Sequence, residues 1–296
     1  MSHTRFTGSV TALITPMNQD GSLDFPSLEK LVDWQVKEGT SALCAMGTTG
    51  ESPTLSHDEH HAVVERTIKI AGGRVPVIAG AGSNSTAEAI DLARHAEKAG
   101  ASAALVVTPY YNKPTQEGLY RHFTAIADAI SIPVILYNIP GRSVVEISVE
   151  TFARLAKHGN ITGVKDATAN LLRPLQLRRA IDKPFNQLSG EDGTAVAFLA
   201  AGGDGCISVT SNIAPALCAA VQKAWQHNKT DEAIALQDKL LPLHDALFCE
   251  SNPAPVKYAA SLLGLAGETT RLPLAPLTET SRQKVKQALM DTGLLS

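Results

Sequence analysis

The chain has 296 residues, of which 44% are hydrophobic, and a formal net charge of −3. This is enough apolar material for a large core in one or two domains. Its lysines and arginines form no basic block, which argues against nucleic acid and anionic membrane as partners. It also has no apolar run near the roughly 18 residues of a membrane helix, no signal-peptide core and no paired cysteine spacing, so we expect a cytoplasmic protein.

Apolar runs alternate with amphipathic segments through the first three quarters of the chain. Eight runs read as strands, at Val10–Ile14, Ala42–Met46, Val75–Ala79, Ala103–Val107, Val134–Tyr137, Ile161–Lys165, Phe185–Leu188 and Gly205–Val209. Segments of helical period separate them, for example Ser27–Lys37, Ser56–Ile70 and Thr86–Lys98. Two strands are apolar throughout, as is typical of parallel strands buried on both faces. The pattern predicts an α/β fold, a (β/α)8 TIM barrel over residues 1–226, with a doubly wound open sheet as the alternative.

The strand signal stops beyond about Gln226. The later segments Thr230–Leu247, Pro255–Leu265 and Thr280–Leu294 have helical character, and prolines punctuate them. We therefore expect residues 227–296 to form a C-terminal helical domain that packs on the barrel.

Lys165 is the residue that points most directly to chemistry. It ends the sixth predicted strand, and strand ends in a TIM barrel face the active site. Burial there should lower the pKa of its ammonium from about 10.4 and make the amine a nucleophile that forms a Schiff base with a carbonyl. A lysine whose stem passes the strand end to reach water is the competing interpretation.

Polar groups also follow the second and fifth predicted strands. The loop Gly47-Thr48-Thr49-Gly50-Glu51 offers backbone N–H groups and hydroxyls that suit a carboxylate, or it is an ordinary βα loop. Tyr137 ends the fifth strand as an acid/base group or as a core residue with a bonded tip. Arg142, on a Pro-Gly loop, suits a bidentate clamp on a carboxylate, or it is a solvated loop arginine.

Two local patterns imitate motifs of other protein classes. Gly80-Ala81-Gly82 follows a strand and opens a helix, but it lacks the third glycine and the acidic partner of a dinucleotide fingerprint. A zincin requires a glutamate directly after the first histidine, but in His57-Asp58-Glu59-His60-His61 an aspartate stands there. Ser56 and Glu59 instead predict a capping box at a helix start. These patterns predict neither a dinucleotide site nor a zinc site.

Taken together and in this order, the blocks resemble those of the 4-hydroxy-tetrahydrodipicolinate synthase (dihydrodipicolinate synthase) family. They are Gly47–Glu51, Tyr110-Tyr111-Asn112, Tyr137-Asn138, Gly141-Arg142 and Gly163–Ala167, in a similarity that runs from about Phe6 to the C-terminus. The resemblance implies a lyase with a TIM barrel, a C-terminal helical domain, a homotetramer built as a dimer of dimers, and no metal or organic cofactor. It implies Schiff-base condensation of pyruvate with L-aspartate 4-semialdehyde, on the route to lysine and diaminopimelate.

The resemblance also implies a role for each matching residue. Lys165 would form the Schiff base with pyruvate and Tyr137 would be the general acid/base. Thr48 would relay protons between Tyr137 and Tyr111, with Tyr111 reaching in from the partner of a tight dimer. Arg142 would meet the carboxylate of the aldehyde substrate. The other substrate-binding positions would be Thr49, which with Thr48 seats the pyruvate carboxylate, and Gly190 and Ile207.

Lysine-sensitive members of this family bind L-lysine in a cleft at the tight-dimer interface. The matching positions are Ser52, Pro53, His57, His60, Asn84, Glu88 and Tyr110. Glu88 suits the α-ammonium of L-lysine, Asn84 and Tyr110 suit its carboxylate, and the histidine side suits its ε-ammonium. The spacing of Asn84 and Glu88 predicts that they lie one helical turn apart. We expect feedback inhibition by L-lysine; a capped helix with a solvated face is the alternative.

One departure from the family pattern lies in the loop that carries Arg142. Ser143-Val144 stands where Thr-Gly is usual, and valine does not readily adopt a positive φ. We therefore expect the loop that carries Arg142 to bend differently.

Two other functions stay open at the sequence level. A sister pyruvate aldolase, such as N-acetylneuraminate lyase or a 2-keto-3-deoxy sugar acid aldolase, would share Lys165, Tyr137 and Thr48. Arg142 and the Tyr110-Tyr111 pair argue against it, because sugar chains present hydroxyls at that end. A non-catalytic sensor barrel is the second alternative, although all three catalytic groups are present.

Overall fold

Eight parallel strands close into a barrel in the computed structural model, which describes residues 5–295. The strands are β1 Gly8–Ala12, β2 Ala42–Ala45, β3 Val77–Gly80, β4 Ala103–Val107, β5 Val134–Asn138, β6 Ile161–Asp166, β7 Asn186–Ser189 and β8 Gly205–Ser208. Each strand pairs with the next, and β8 pairs with β1 in the register Gly8 to Gly205, which closes the ring. The predicted TIM barrel is confirmed, and the open-sheet alternative is wrong.

Helices surround the barrel and continue beyond it. They are α1 Phe25–Lys37, α2 His57–Ala71, α3 Thr86–Ala99, α4 Gln116–Asp128, α5 Pro140–Ser143, α6 Val149–Ala156, α7 Arg173–Ala180, α8 Ala195–Ala200, α9 Pro215–Gln226, α10 Thr230–Ala246, α11 Ala254–Leu262 and α12 Glu279–Asp291. Three short 3-10 turns lie at Thr48–Gly50, Ser52–Thr54 and Thr210–Asn212. Within residues 5–295, no helix has the length and apolar character needed to span a bilayer.

The start of α2 follows the sequence-based prediction. The Glu59 N–H donates to Ser56 Oγ over 3.2 Å, and the Ser56 N–H donates to Glu59 Oε2 over 2.9 Å, which is a capping box. The box satisfies two backbone N–H groups at the helix start and fixes the first turn of α2. This turn carries His57 and His60 at the edge of the site described below.

The first and third strands begin two residues away from their predicted starts, and all the others except the fourth differ from the prediction by one residue at one or both ends. The first strand begins at Gly8 and ends at Ala12, because the Ile14 N–H leaves the ladder and donates to Asn212 Oδ1 over 2.9 Å. The third strand begins at Val77 rather than Val75, because Pro76 has no N–H to give to the ladder. The fourth strand, Ala103–Val107, has the bounds that its apolar run predicts.

The hydrophobic core has an inner and an outer part. Inside the barrel, Val10, Ile78, Leu105, Ile135 and Ile207 form one buried cluster. Outside it, a larger cluster joins β2 and α1 to the helices that follow α9, and its C-terminal members include Leu240, Leu243, Val256, Val285 and Leu289. The C-terminal helices therefore share a core with the barrel. The proposed domain boundary after residue 226 falls between α9 and α10 and stays a prediction.

Candidate active site

Lys165 and Tyr137 lie side by side at the mouth of the barrel. They are register partners at the carboxyl ends of β6 and β5. The Lys165 Nζ lies 4.3 Å from the centroid of the Tyr137 ring, and the two residues are 6% and 5% exposed. An amine nucleophile and a phenol therefore meet in a place that excludes most water. The competing interpretation, a lysine that extends into solvent, is wrong.

The charge of Lys165 differs from the sequence-based prediction. Burial lowers the pKa of its ammonium, but Tyr137, Cys44 and Cys206, which carry negative charge when they ionise, together with a hydrogen bond to Tyr137, raise it, and the net pKa is above the ordinary value. The predicted downward shift is therefore wrong for the free protein. At neutral pH Lys165 is an ammonium and must give up a proton before it attacks a carbonyl.

The thiols beside Lys165 are not competing nucleophiles. Burial raises the pKa of Cys44 to about 11, and it raises the pKa of Cys206 well above the ordinary value. A nucleophilic thiol needs to be ionised. Lys165 is therefore the group at this point of the barrel that suits covalent chemistry with a ketone.

The turn Thr48–Gly50 follows β2. Thr49 is buried, and its Oγ1 accepts a hydrogen bond from Asn252 Nδ2 over 3.0 Å. Thr15 Oγ1 donates to the Gly50 carbonyl over 2.7 Å and holds the turn from the opposite side. Thr48 lines the same cavity as Tyr137. The fixed turn offers N–H groups and hydroxyls at a constant distance from the strand ends, as a carboxylate seat requires.

Arg142 lies in the short helix α5 at the rim of the cavity. Its Nη2 donates to the Asn252 carbonyl over 3.4 Å, and the side chain is otherwise exposed. Val144, which ends α5, has φ +66° and ψ −33° and is 65% exposed. Val144 therefore adopts the positive φ that disfavours valine, with the attendant strain, and the expectation that the loop bends differently from that of the family stays a prediction.

Gly190 and Ile207 come from β7 and β8, Gly190 from the loop that follows the strand and Ile207 from the strand itself. Gly190 follows β7, and its N–H donates to the Asp166 carbonyl over 2.6 Å. A Cβ at this position would come within 2.7 Å of the Cβ of Ala167, so the close approach of the two loops requires glycine. Ile207 is fully buried in β8 and belongs to the apolar cluster inside the barrel that also contains Tyr137.

Tyr111 stands apart from the other predicted catalytic residues. It is 90% exposed and has φ +72°, which is uncommon for an aromatic residue. Within the single chain it does not line the cavity that contains Thr48 and Tyr137. Its predicted part in a proton relay thus depends on a second subunit and stays a prediction.

A single cavity of about 370 Å³ joins the catalytic mouth to the predicted lysine site. Thr48, Tyr137 and Arg142 line one part of it. Six of the seven predicted lysine-site residues line the other part, namely Ser52, Pro53, His57, His60, Glu88 and Tyr110. The seventh, Asn84, precedes the first residue of α3, so the prediction that Asn84 and Glu88 lie one helical turn apart is wrong.

The second part of the cavity has a defined charge pattern. Glu88 accepts a hydrogen bond from Ser83 Oγ, and its Oε1 lies 2.7 Å from His57 Nε2; these two contacts lower the pKa of its carboxyl. His60 is buried, and burial, with a smaller effect of His61, lowers its pKa to about 4. At neutral pH the cavity therefore holds a carboxylate beside a neutral imidazole. In the described part of the chain, no three His, Cys, Asp or Glu side chains converge as a metal site would require.

Sequence reasoning missed the polar groups that support the site from a distance. Arg173 Nε donates to Asp166 Oδ2 over 2.9 Å, and Asp166 directly follows Lys165 in the chain. Asn252 and Lys257 come from the C-terminal region, and they contact Thr49 and Glu51. Lys257 is the only charged residue in the apolar helix α11, and that isolation is the sequence signal that was available.

The fold and this site define a class of enzyme, a Schiff-base-forming lyase of the class I aldolase type. A buried lysine, a tyrosine beside it and a carboxylate seat at the mouth of a TIM barrel are the parts that such a lyase needs. The chain belongs to the dihydrodipicolinate synthetase family, whose model matches residues 5–292.

Similar proteins carry the same activity in their names. The 4-hydroxy-tetrahydrodipicolinate synthase of Gluconacetobacter diazotrophicus is 69% identical over 100% of both chains. That of Acidiphilium cryptum is 64% identical over 98% of this chain and 100% of its own. These relatives confirm the synthase function predicted from the sequence, and they favour it over a sister aldolase or a sensor.

Solved structures agree with this assignment. The dihydrodipicolinate synthase of Acinetobacter baumannii complexed with pyruvate superposes with a TM-score of 0.96 and is 49% identical, covering 98% of this chain and 100% of its own. The enzyme of Cyanidioschyzon merolae with lysine bound gives a TM-score of 0.94 and is 38% identical, covering 98% of this chain and 99% of its own.

Proposed function

We propose that the chain condenses pyruvate with L-aspartate 4-semialdehyde in the cytoplasm, on the route to lysine and diaminopimelate. The observation that carries the proposal is the pairing of the buried Lys165 with Tyr137 below a cavity that also bears Thr48 and Arg142. A relative that is 49% identical forms a complex with pyruvate, which supports the first substrate.

Pyruvate binds first, with its carboxylate on the Thr48–Thr49 turn. Tyr137 passes its phenolic proton to Thr48 along the proposed relay, and the phenolate oxygen then accepts a proton from the Lys165 ammonium, to which Tyr137 is hydrogen-bonded. The free amine then adds to the ketone carbon of pyruvate, water leaves, and an imine forms. Because the imine withdraws electrons, it acidifies the pyruvate methyl group and yields an enamine.

The enamine attacks the aldehyde carbon of the second substrate. Arg142 binds the carboxylate of that substrate, since its guanidinium is exposed at the rim of the cavity and has donors to spare. Protons move along Tyr137, Thr48 and Tyr111 of the partner subunit, a relay that keeps an acid/base group near each reacting atom.

The proposal includes a homotetramer built as a dimer of dimers. Tyr111 supports it, because an aromatic side chain that is 90% exposed on a strained loop gains from burial in a partner. L-Lysine is proposed as an inhibitor that binds in the second part of the cavity, around Glu88 and Tyr110. A relative from Cyanidioschyzon merolae binds lysine, which supports this regulation.

Borohydride trapping tests the proposed reaction. Reduction in the presence of pyruvate should leave a three-carbon adduct on Lys165, and the same treatment without pyruvate should leave none. A coupled assay should show turnover of pyruvate with aspartate semialdehyde and none with N-acetylmannosamine. An unmodified Lys165 under turnover conditions would contradict the mechanism.

A further inference from the structure

Glu51 closes the loop on which the pyruvate carboxylate is proposed to bind. It directly follows the Thr48–Gly50 turn, and its N–H donates to the Thr48 carbonyl over 3.1 Å. Glu51 adopts φ 58° and ψ 33°, a left-handed conformation that is costly for a residue with a side chain. A conformation of this kind persists only where the surroundings hold it.

Contacts from the C-terminal region hold Glu51 in this conformation. Lys257 Nζ lies 2.6 Å from Glu51 Oε1, and both side chains are almost completely buried, at 0% and 1% exposure. The Arg271 N–H donates to the other carboxylate oxygen, Oε2, over 3.0 Å. Both oxygens of Glu51 are thus occupied by groups more than two hundred residues later in the chain.

Two further contacts from the same region reach the ends of the loop. Asn252 Nδ2 donates to Thr49 Oγ1 over 3.0 Å, which fixes the second threonine of the turn. The guanidinium of Arg271 binds Glu59 through Nη1 and Nη2 at 2.7 and 2.5 Å, which fixes the start of α2. The loop is therefore held on the C-terminal region at its centre and on both sides.

Stability alone does not explain a buried ion pair at this place. Desolvation of two charges offsets most of their attraction, and apolar residues of similar volume often serve stability equally well. A buried pair does specify geometry, because both charged groups must stay in contact. Neither Glu51 nor Lys257 lines the cavity, so any effect on the substrate passes through the Thr48–Thr49 turn.

We infer that Glu51 and Lys257 are positioning residues for pyruvate, and that their buried ion pair sets the orientation of the Thr48–Thr49 turn toward the pyruvate carboxylate. The inference rests on the proposed function and assigns to the C-terminal region a part in binding the first substrate. Pyruvate affinity should depend on the pair, whereas affinity for the aldehyde, which Arg142 binds, should depend on it little.

The double variant Glu51→Gln/Lys257→Met tests the inference. It removes both charges, keeps similar side-chain volumes and leaves no buried charge without a partner. The pyruvate concentration that gives half-maximal borohydride trapping at Lys165 should rise about tenfold to a hundredfold, since small misplacements of a binding group have effects of this size. The KM for the aldehyde should stay within about twofold, given its separate binding group.

The matched control is Glu268→Gln, which breaks the more exposed Arg282–Glu268 pair in the same C-terminal region. It should leave pyruvate saturation unchanged. A second variant, Glu51→Asp, keeps the charge but shortens the reach to Lys257, and it should also raise the half-saturating pyruvate concentration.

Circular dichroism and thermal unfolding establish that each variant is folded. A folded double variant, or a folded Glu51→Asp variant, with the pyruvate saturation of the wild type would overturn the inference and leave the pair a purely structural contact. A wild-type protein that forms no adduct at Lys165 would instead contradict the proposed function, so the two failures are distinguishable.

Discussion

Lys165 takes its chemical character from residues that are distant in the chain. Tyr137 comes from β5, Cys44 from β2 and Cys206 from β8, and together with burial they set the pKa of the lysine. The barrel tolerates the buried charge of the resting ammonium because the phenol of Tyr137 lies beside it. Reactivity therefore requires a proton transfer within the site, and the nucleophile is not simply a lysine made neutral by burial.

Arg142 gives a prediction that separates the two substrates. Arg142→Ala should raise the KM for aspartate semialdehyde about tenfold to a hundredfold, because a charge-assisted hydrogen bond to a carboxylate contributes roughly 1.5–3 kcal/mol. Steady-state kinetics with each substrate varied in turn provide the measurement. The pyruvate KM should change little, and Arg121→Ala on the exposed face of α4 serves as the control. Equal effects on both substrates would mean that the arginine only supports the loop.

At the scale of the elements, the loops after the strands hold the site, and their conformations include strained residues. Glu51 and Val144 both have positive φ, and each follows a short helical turn that carries a residue proposed to bind substrate. A buried ion pair holds Glu51 in its conformation, but Val144 is 65% exposed and gains little from packing. The two loops are thus stabilised to different extents.

Val144→Gly should stabilise the protein. Glycine adopts the observed φ without strain, and a gain of about 1 kcal/mol remains after part of the relief is offset by the greater freedom of glycine in the unfolded chain. Urea denaturation measures the change in the free energy of unfolding. Val145→Gly, at the next position where φ is not positive, should destabilise the protein instead. Loss of stability in Val144→Gly would show that the positive φ causes no strain.

The elements α2 and α3 provide the proposed inhibitor site. L-Lysine should inhibit turnover in a dose-dependent manner, and Glu88→Ala should weaken this inhibition about tenfold or more, because the carboxylate is the charge proposed to bind the α-ammonium. The measurement is the inhibitor concentration for half-maximal activity. Glu117→Ala, which removes a carboxylate from the exposed face of α4, is the control. Inhibition that persists unchanged in Glu88→Ala would place the lysine site elsewhere.

Local signals predicted the elements well, and distant contacts limited the prediction of the site. The apolar run Ala103–Val107 and the capping box at Ser56 depend on neighbouring residues, and both are present as predicted. The pKa of Lys165 depends on three other strands, and the partner of Glu51 lies 206 residues away. Neither relationship is visible in the spacing of residues along the chain, because it exists only after the barrel has closed and the C-terminal helices have packed.

At the scale of the whole molecule, buried histidines make stability depend on pH. Burial lowers the pKa of His60 and of His122 to about 4. The unfolded chain takes up these protons near the ordinary value of 6.5, but the folded protein does not until about pH 4. The unfolded state therefore binds more protons in this window, so the free energy of unfolding should fall as the pH drops through it.

The variant His122→Gln tests this pH dependence. Glutamine can hydrogen-bond to Thr86 Oγ1, which lies 2.9 Å from His122 Nδ1, but it has no group that titrates in the window. Between about pH 7 and about pH 4.5, the wild type should lose more stability than the variant, by roughly 2 kcal/mol. Urea unfolding at each pH measures this, with the exposed His227→Gln as the control. Parallel pH profiles of wild type and His122→Gln would contradict the prediction.

The ion pair between Glu51 and Lys257 makes two segments that are distant in the sequence depend on each other. A chimaera that joins the barrel of one relative to the C-terminal helices of another inherits these positions from different parents. If only one parent carries the pair, the chimaera has a buried charge without a partner, which destabilises by about 3–5 kcal/mol. This contact therefore restricts recombination between relatives, and it is not visible when either segment is compared with its counterpart alone. In this protein the C-terminal helices and the loop after β2 therefore have to match each other, even though 206 residues separate the two charges.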